Sequence, residues 1–130
     1  MSTFFFIIYL KIDNFILSYI YKSKMNIKIF NYDLPADLDL SDEKEVALDN
    51  EALGLVLGRD PLTLVQIGLK SNNFFLIKLN RNNYNAPNLK KFLSNPNTEF
   101  IMHYARQDLL WLQYHLNVKP KKVFCTKNCI

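Results

Sequence analysis

Glycine, proline, cysteine and histidine are all scarce in this 130-residue chain, at three, five, two and two residues respectively. So little glycine and proline excludes collagen-like and low-complexity classes, and 49% hydrophobic with 22% charged residues is the composition of a folded globular domain. The two cysteines, Cys125 and Cys129, cannot make a disulfide framework, and the three residues between them are not the two-residue gap common at metal sites. A reduced intracellular thiol pair and a cytoplasmic location are the plain expectations. Long apolar runs are missing too. The run over residues 4–10 is broken by Lys11, Asp13 and Asn14 before residues 15–20 resume. No stretch reaches the roughly 18 residues that a membrane span requires, so no stable membrane insertion is expected. Nor does this segment carry the basic start and small-residue cleavage site of a secretory signal. Residues 1–24 are read as an apolar leader appended ahead of Met25. An interfacial amphipathic helix and an extra packed element are the alternatives, and residues 25–130 form the domain.

What is present is an uneven charge. The total is +4, but residues 1–32 sum to +3, residues 33–60 to −7 and residues 61–130 to +8. An acidic cluster inside a basic chain fits bases that steer phosphate and acids that grip cations. A solvated polar face is the alternative. Lys90, Lys91, Lys119, Lys121, Lys122 and Lys127 would supply a nonspecific attraction for nucleic acid, or simply solubility.

From Met25 the pattern predicts short strands followed by helices. Residues 26–32 read as an edge strand closed by Leu34 and Pro35, and residues 37–45 as an acidic loop or helical turn. Residues 45–48 form an apolar strand that delivers Asp49 at its C-terminal end. Residues 62–69 and 73–79 follow, and the three strands make an antiparallel meander. Pro87 opens a short helix bearing Leu89, Phe92 and Leu93, which Asn95 and Pro96 end. Residues 100–102 read as a strand, residues 104–116 as a helix, and residues 118–125 as a loop and a last short strand. Mixed strands and helices in this order predict an α/β domain, a mixed sheet with flanking helices.

Within this frame Asp49 and Glu51 form a D-x-E pair, and strand alternation puts both carboxylates on one side. Clustered carboxylate oxygens suit Mg²⁺ or Mn²⁺. A solvated turn is the alternative for such a pair alone. Asp108, at the start of the second helix, adds a third carboxylate from a separate element, as a two-metal site requires. Trp111 and Phe92 recur with apolar neighbours at helical spacing and are read as core.

The segments VALDNEALGL, RDPLTLVQIG, APNLKKFLSNPN, IMHYARQDLLWL and VFCTK resemble, in order and spacing, the N-terminal portion of ribonuclease D-like 3′–5′ exonucleases of the DEDD class. The resemblance spans residues 27–130. It implies a ribonuclease H-like fold, truncated here at its C-terminus, and removal of nucleotides from the 3′ end of single-stranded RNA or DNA, RNA being the favoured substrate, by phosphodiester hydrolysis with two Mg²⁺ or Mn²⁺ ions. It implies Asp49 as a ligand bridging both ions, Glu51 as a ligand that also holds the terminal nucleotide or attacking water, and Asp108 near the second ion. Leu53 and Gly54 match the stretch that approaches the terminal base and sugar, and Arg106 is placed to hold a backbone phosphate or to face solvent. His103 is expected as a hydrogen-bonded residue of the strand-to-helix junction, and Gln66 to touch substrate or neighbouring backbone.

Two departures qualify the resemblance. Asn50 stands where the family usually has threonine, with its side chain expected to point away from the acids. The family's third motif, a tyrosine followed four residues later by a fourth carboxylate, lies beyond VFCTK and is not among the 130 residues. The expectation is a partial exonuclease domain with impaired catalysis. A noncatalytic nucleic-acid-binding remnant, and the structural half of an exonuclease completed by a separately encoded C-terminal fragment, are the rivals.

Overall fold

The computed structural model describes residues 25–127. The leader of residues 1–24 and Cys129 lie outside the described residues. In chain order the elements are β1 (Asn26–Asn31), β2 (Glu45–Ala52), β3 (Leu62–Gly68), β4 (Asn73–Lys78), helix α1 (Pro87–Leu93), β5 (Glu99–Met102), helix α2 (Ala105–Leu116) and β6 (Lys122–Cys125). The strands form one mixed sheet in the order β1-β4-β3-β2-β5-β6. The expected meander is there: β2, β3 and β4 pair antiparallel. Strands β1, β5 and β6 join their neighbours in parallel. Adjacent parallel strands need a crossover connection, and α2 supplies it between β5 and β6.

Register decides which side chains share a face. Val46 and Leu48 of β2, Val65 and Ile67 of β3, Phe75 and Ile77 of β4, and Phe100 and Met102 of β5 point to one side and are buried. Full burial of each such side chain contributes roughly 1.5–3 kcal/mol relative to exposure. Helix α1 packs Leu89, Phe92 and Leu93 on this side, where the Phe92 and Phe100 rings meet edge-on with centroids 5.4 Å apart. Pro87 suits the first turn of α1, and the free amides of Asn88 and Leu89 donate to the Asp33 carboxylate at 2.9 and 2.8 Å. At the sheet edge, Ile27 and Ile29 of β1 stay 51% and 58% exposed. Lys28 between them is the kind of charge that discourages edge pairing.

Two differences from expectation matter. Strand β2 does not end at Leu48 but continues to Ala52, with a register irregularity between Glu51 and Ala52. Polar residues made the sequence look finished there, yet ladder pairing with β3 carries the backbone onward and places Asp49 and Glu51 inside the strand. Cys125 is disulfide-bonded, so the expectation of a reduced thiol pair is corrected.

Candidate active site

The C-terminal half of β2 and the first turn of α2 meet in an open cleft of about 250 Å³. Asp49, Glu51, Gly54, Leu55, His103, Tyr104, Gln107, Asp108 and Trp111 are among its lining residues. A larger hollow of about 690 Å³ lies between residues 34–41 and α1, but Asp39 is the one carboxylate on its wall, so size does not choose the site. Chemistry does. Alternation puts Asp49 and Glu51 on the sheet face opposite the helices, together with Gln66 of β3, whose amide lies 3.5 Å from the Glu51 carboxylate.

The electrostatics are those of acids gathered out of water. Asp49 is only 3% exposed, and its Oδ2 has no hydrogen-bond partner. Burial, with Glu51 beside it, pushes the Asp49 carboxyl up to about 6 against the pull of the Asn50 backbone. Asp108 is pushed up to about 8, by burial first and then by Asp49 and Glu51. An orphaned, buried carboxylate oxygen beside two further acids is a donor set that fits a hard divalent cation. The described residues nevertheless form no cluster of three His, Cys, Asp or Glu side chains close enough to hold one ion.

The structure brings Asp49, Glu51, Asp108 and Gly54 together around one cleft. Leu53 and Arg106 are exposed and do not line it. His103 sits at the junction of β5 and α2, with its Nδ1 2.7 Å from Thr126 Oγ1. Trp111 is buried, as its spacing predicts, and also forms part of the cleft wall. Three features escape sequence reasoning. Tyr104 caps α2 in the left-handed region, at φ 53°, which presents its ring at the rim. Leu55, not only its neighbours, faces the cleft. Asn50 turns away from the acids as expected, but its partner is the missed feature: its amide donates to the Asp108 backbone carbonyl at 3.1 Å. The departure from threonine at this position was the available signal, but the partner is 58 residues away.

Residues 28–129 match the model of a 3′–5′ exonuclease family. No curated protein sequence gives a significant match. Among solved structures, Brucella melitensis NrnC with bound Mg²⁺ is 38% identical, with a TM-score of 0.73 over 79% of this chain and 51% of its own. NrnC bound to pGG superposes equally well, with a TM-score of 0.73 at 38% identity over 80% of this chain and 50% of that one. The chain thus spans about half the length of NrnC. The catalytic core of RRP6 from Trypanosoma brucei shares the fold at 22% identity, with a TM-score of 0.61 over 79% of this chain and 30% of its own. These likenesses give the mixed sheet a ribonuclease H-like fold.

Proposed function

The chain belongs to the ribonuclease D-like 3′–5′ exonuclease family, and from that membership we propose that its cleft takes the 3′ end of a single-stranded nucleic acid, RNA rather than DNA, for phosphodiester hydrolysis. The observation that carries the proposal is the buried, unpartnered Oδ2 of Asp49 beside Glu51 and Asp108. NrnC, 38% identical, has been observed with Mg²⁺ and with pGG. Two Mg²⁺ or Mn²⁺ ions held there would supply an activated water and a stabilised leaving oxygen. In this reading Asp49 would be shared by both ions, with Glu51 and Asp108 as the further residues that would hold them. Gln66 orients the Glu51 carboxylate through its amide. Asn50 ties the helix that carries Asp108 to the strand that carries Asp49. Leu53 and Gly54 approach the terminal base and sugar, and Arg106 reaches the backbone phosphate. Cytoplasmic RNA processing is the setting that this chemistry fits.

The cleft gathers three carboxylates, yet among the described residues no three ligating side chains lie close enough to hold one ion, and we propose that the 130 residues alone turn over poorly and that residues 25–130 act as part of an exonuclease domain. Incubation with 5′-labelled single-stranded RNA and Mn²⁺ tests this, with Asp49→Ala as control. The expected outcome is binding that requires the cation and Asp49, with weak trimming, and stronger trimming when a C-terminal fragment carrying the third motif is added. Robust Asp49-dependent trimming by the 130 residues alone would refute the impairment. A noncatalytic nucleic-acid-binding role is the second reading, favoured by the lack of a preformed three-acid cluster among the described residues. It predicts binding that is indifferent to Mg²⁺ and to Asp49→Ala.

A further inference from the structure

The turn between β2 and β3 is built more tightly than a solvent loop requires. Leu53 N–H donates to the Pro61 carbonyl at 3.0 Å, and the amides of Arg59 and Asp60 both donate to the Val56 carbonyl, at 3.2 and 2.9 Å. The Asp60 carboxylate closes the turn from within. Its Oδ2 accepts the Val56 amide at 2.9 Å, and its two oxygens take the Arg59 guanidinium at 2.7 and 2.8 Å. A Cβ built on Gly54 would overlap this carboxylate, so glycine at 54 and aspartate at 60 are a matched pair. The Arg59 guanidinium, followed by the Val56 amide, draws the Asp60 carboxyl down to about 2. It is therefore a permanent acceptor at neutral pH.

What this turn holds outward is apolar. Leu53, Leu55 and Val56 are all exposed, Leu55 by 83%, and Leu55 stands on the cleft wall beside Asp49 and Glu51. Large apolar side chains held in water by a charged brace gain nothing for the fold, and they mark a contact surface. Holding them before substrate arrives avoids the ordering cost that a loose loop would incur on binding. We propose that Asp60 is a positioning residue which, through Gly54 and Arg59, presets Leu55 and Val56 as the apolar lip against which the terminal nucleotide of a single strand packs. The inference rests on the exonuclease reading of the cleft.

The test is a fluorescence titration of the whole chain with a short single-stranded RNA carrying 2-aminopurine at its 3′ end, in Ca²⁺, beside a separate Mn²⁺ titration. Leu55→Ser should weaken RNA binding about tenfold, the scale of one apolar side-chain contact. Asp60→Asn, close in volume, should weaken it by a similar factor and speed hydrogen exchange at the Val56 amide. The double variant should bind no worse than about twofold below either single variant, because both remove the same contact. Mn²⁺ affinity should stay at the wild-type value in all three. If Asp60→Asn fails to fold, Arg59→Ala takes its place, with the same RNA and exchange readouts. Unchanged RNA binding, additive losses, or a parallel fall in Mn²⁺ affinity in the brace variant would overturn the inference while leaving the exonuclease reading intact. A wild-type chain that binds no single strand would remove the reading and the inference with it.

Discussion

Asp60 in the β2–β3 turn and the two aspartates of the cleft, Asp49 and Asp108, are treated in opposite ways. Asp60 has its partners in place: a guanidinium, a backbone amide and a glycine shaped to receive it, and its carboxyl sits near 2. Asp49 is buried with an unpartnered oxygen near 6, and Asp108 lies close to it near 8. The same functional group is structural in one place because its charge is answered internally. In the other place its charge awaits something from outside. Partner supply, rather than residue type, separates scaffold from site.

The largest expected effect comes from supplying the missing partner. Mn²⁺ at a hundred times its dissociation constant should stabilise the wild-type chain by about 2.7 kcal/mol. Thermal melts should show no such gain for Asp49→Ala, whereas Asp60→Asn should keep it. A rise in the melting temperature of Asp49→Ala on adding Mn²⁺ would break the contrast.

A second difference is the direction in which pH acts. For Asp49 and Asp108 the folded chain holds protons that the unfolded chain, near 3.8, has already released, so without cation the stability contribution falls as pH rises from about 4 to about 8. Asp60 acts the other way. Its contribution is present above 3.8 and is lost as pH falls toward about 2. Denaturant melts in chelator between pH 5 and 8.5 should show Asp108→Asn with a flatter stability profile than wild type, and saturating Mn²⁺ should remove most of the wild-type decline. An unchanged slope in Asp108→Asn would contradict this assignment.

The smallest expected effect concerns Asn50, which links strand and helix behind the acids. Asn50→Ala should cost about 1 kcal/mol of stability, the usual size of one hydrogen bond. Asn50→Thr tests whether a shorter side chain still tethers Asp108. Equal Mn²⁺ affinity in wild type and both variants would show that the tether acts on the fold alone.

Much of the architecture was legible because local patterns carry it. Alternation marks β3 and β4, Pro87 marks the start of α1, and leucine spacing marks α2. The D-x-E pair and Asp108 were readable as residue types at a meaningful spacing. What stayed hidden depends on the chain returning to itself. The extension of β2 to Ala52 comes from pairing with β3, not from any preference of Asp49, Asn50 or Glu51 for strand. The left-handed backbone at Tyr104 has no glycine to announce it. The fit of Gly54 against Asp60 exists only once the turn has closed.

Asp33 also has a consequence for the order of assembly. Helix α1 has seven residues, too few to persist in water by itself, and the acceptor for its first free amides lies 55 and 56 residues earlier in the chain. During synthesis Asp33 emerges well before the helix whose end it will satisfy. The helix can settle only after the intervening meander has drawn the two ends together, a closure whose entropy must be met before the contact is gained. A short helix that looks local in the sequence is thereby made a late reporter of long-range folding.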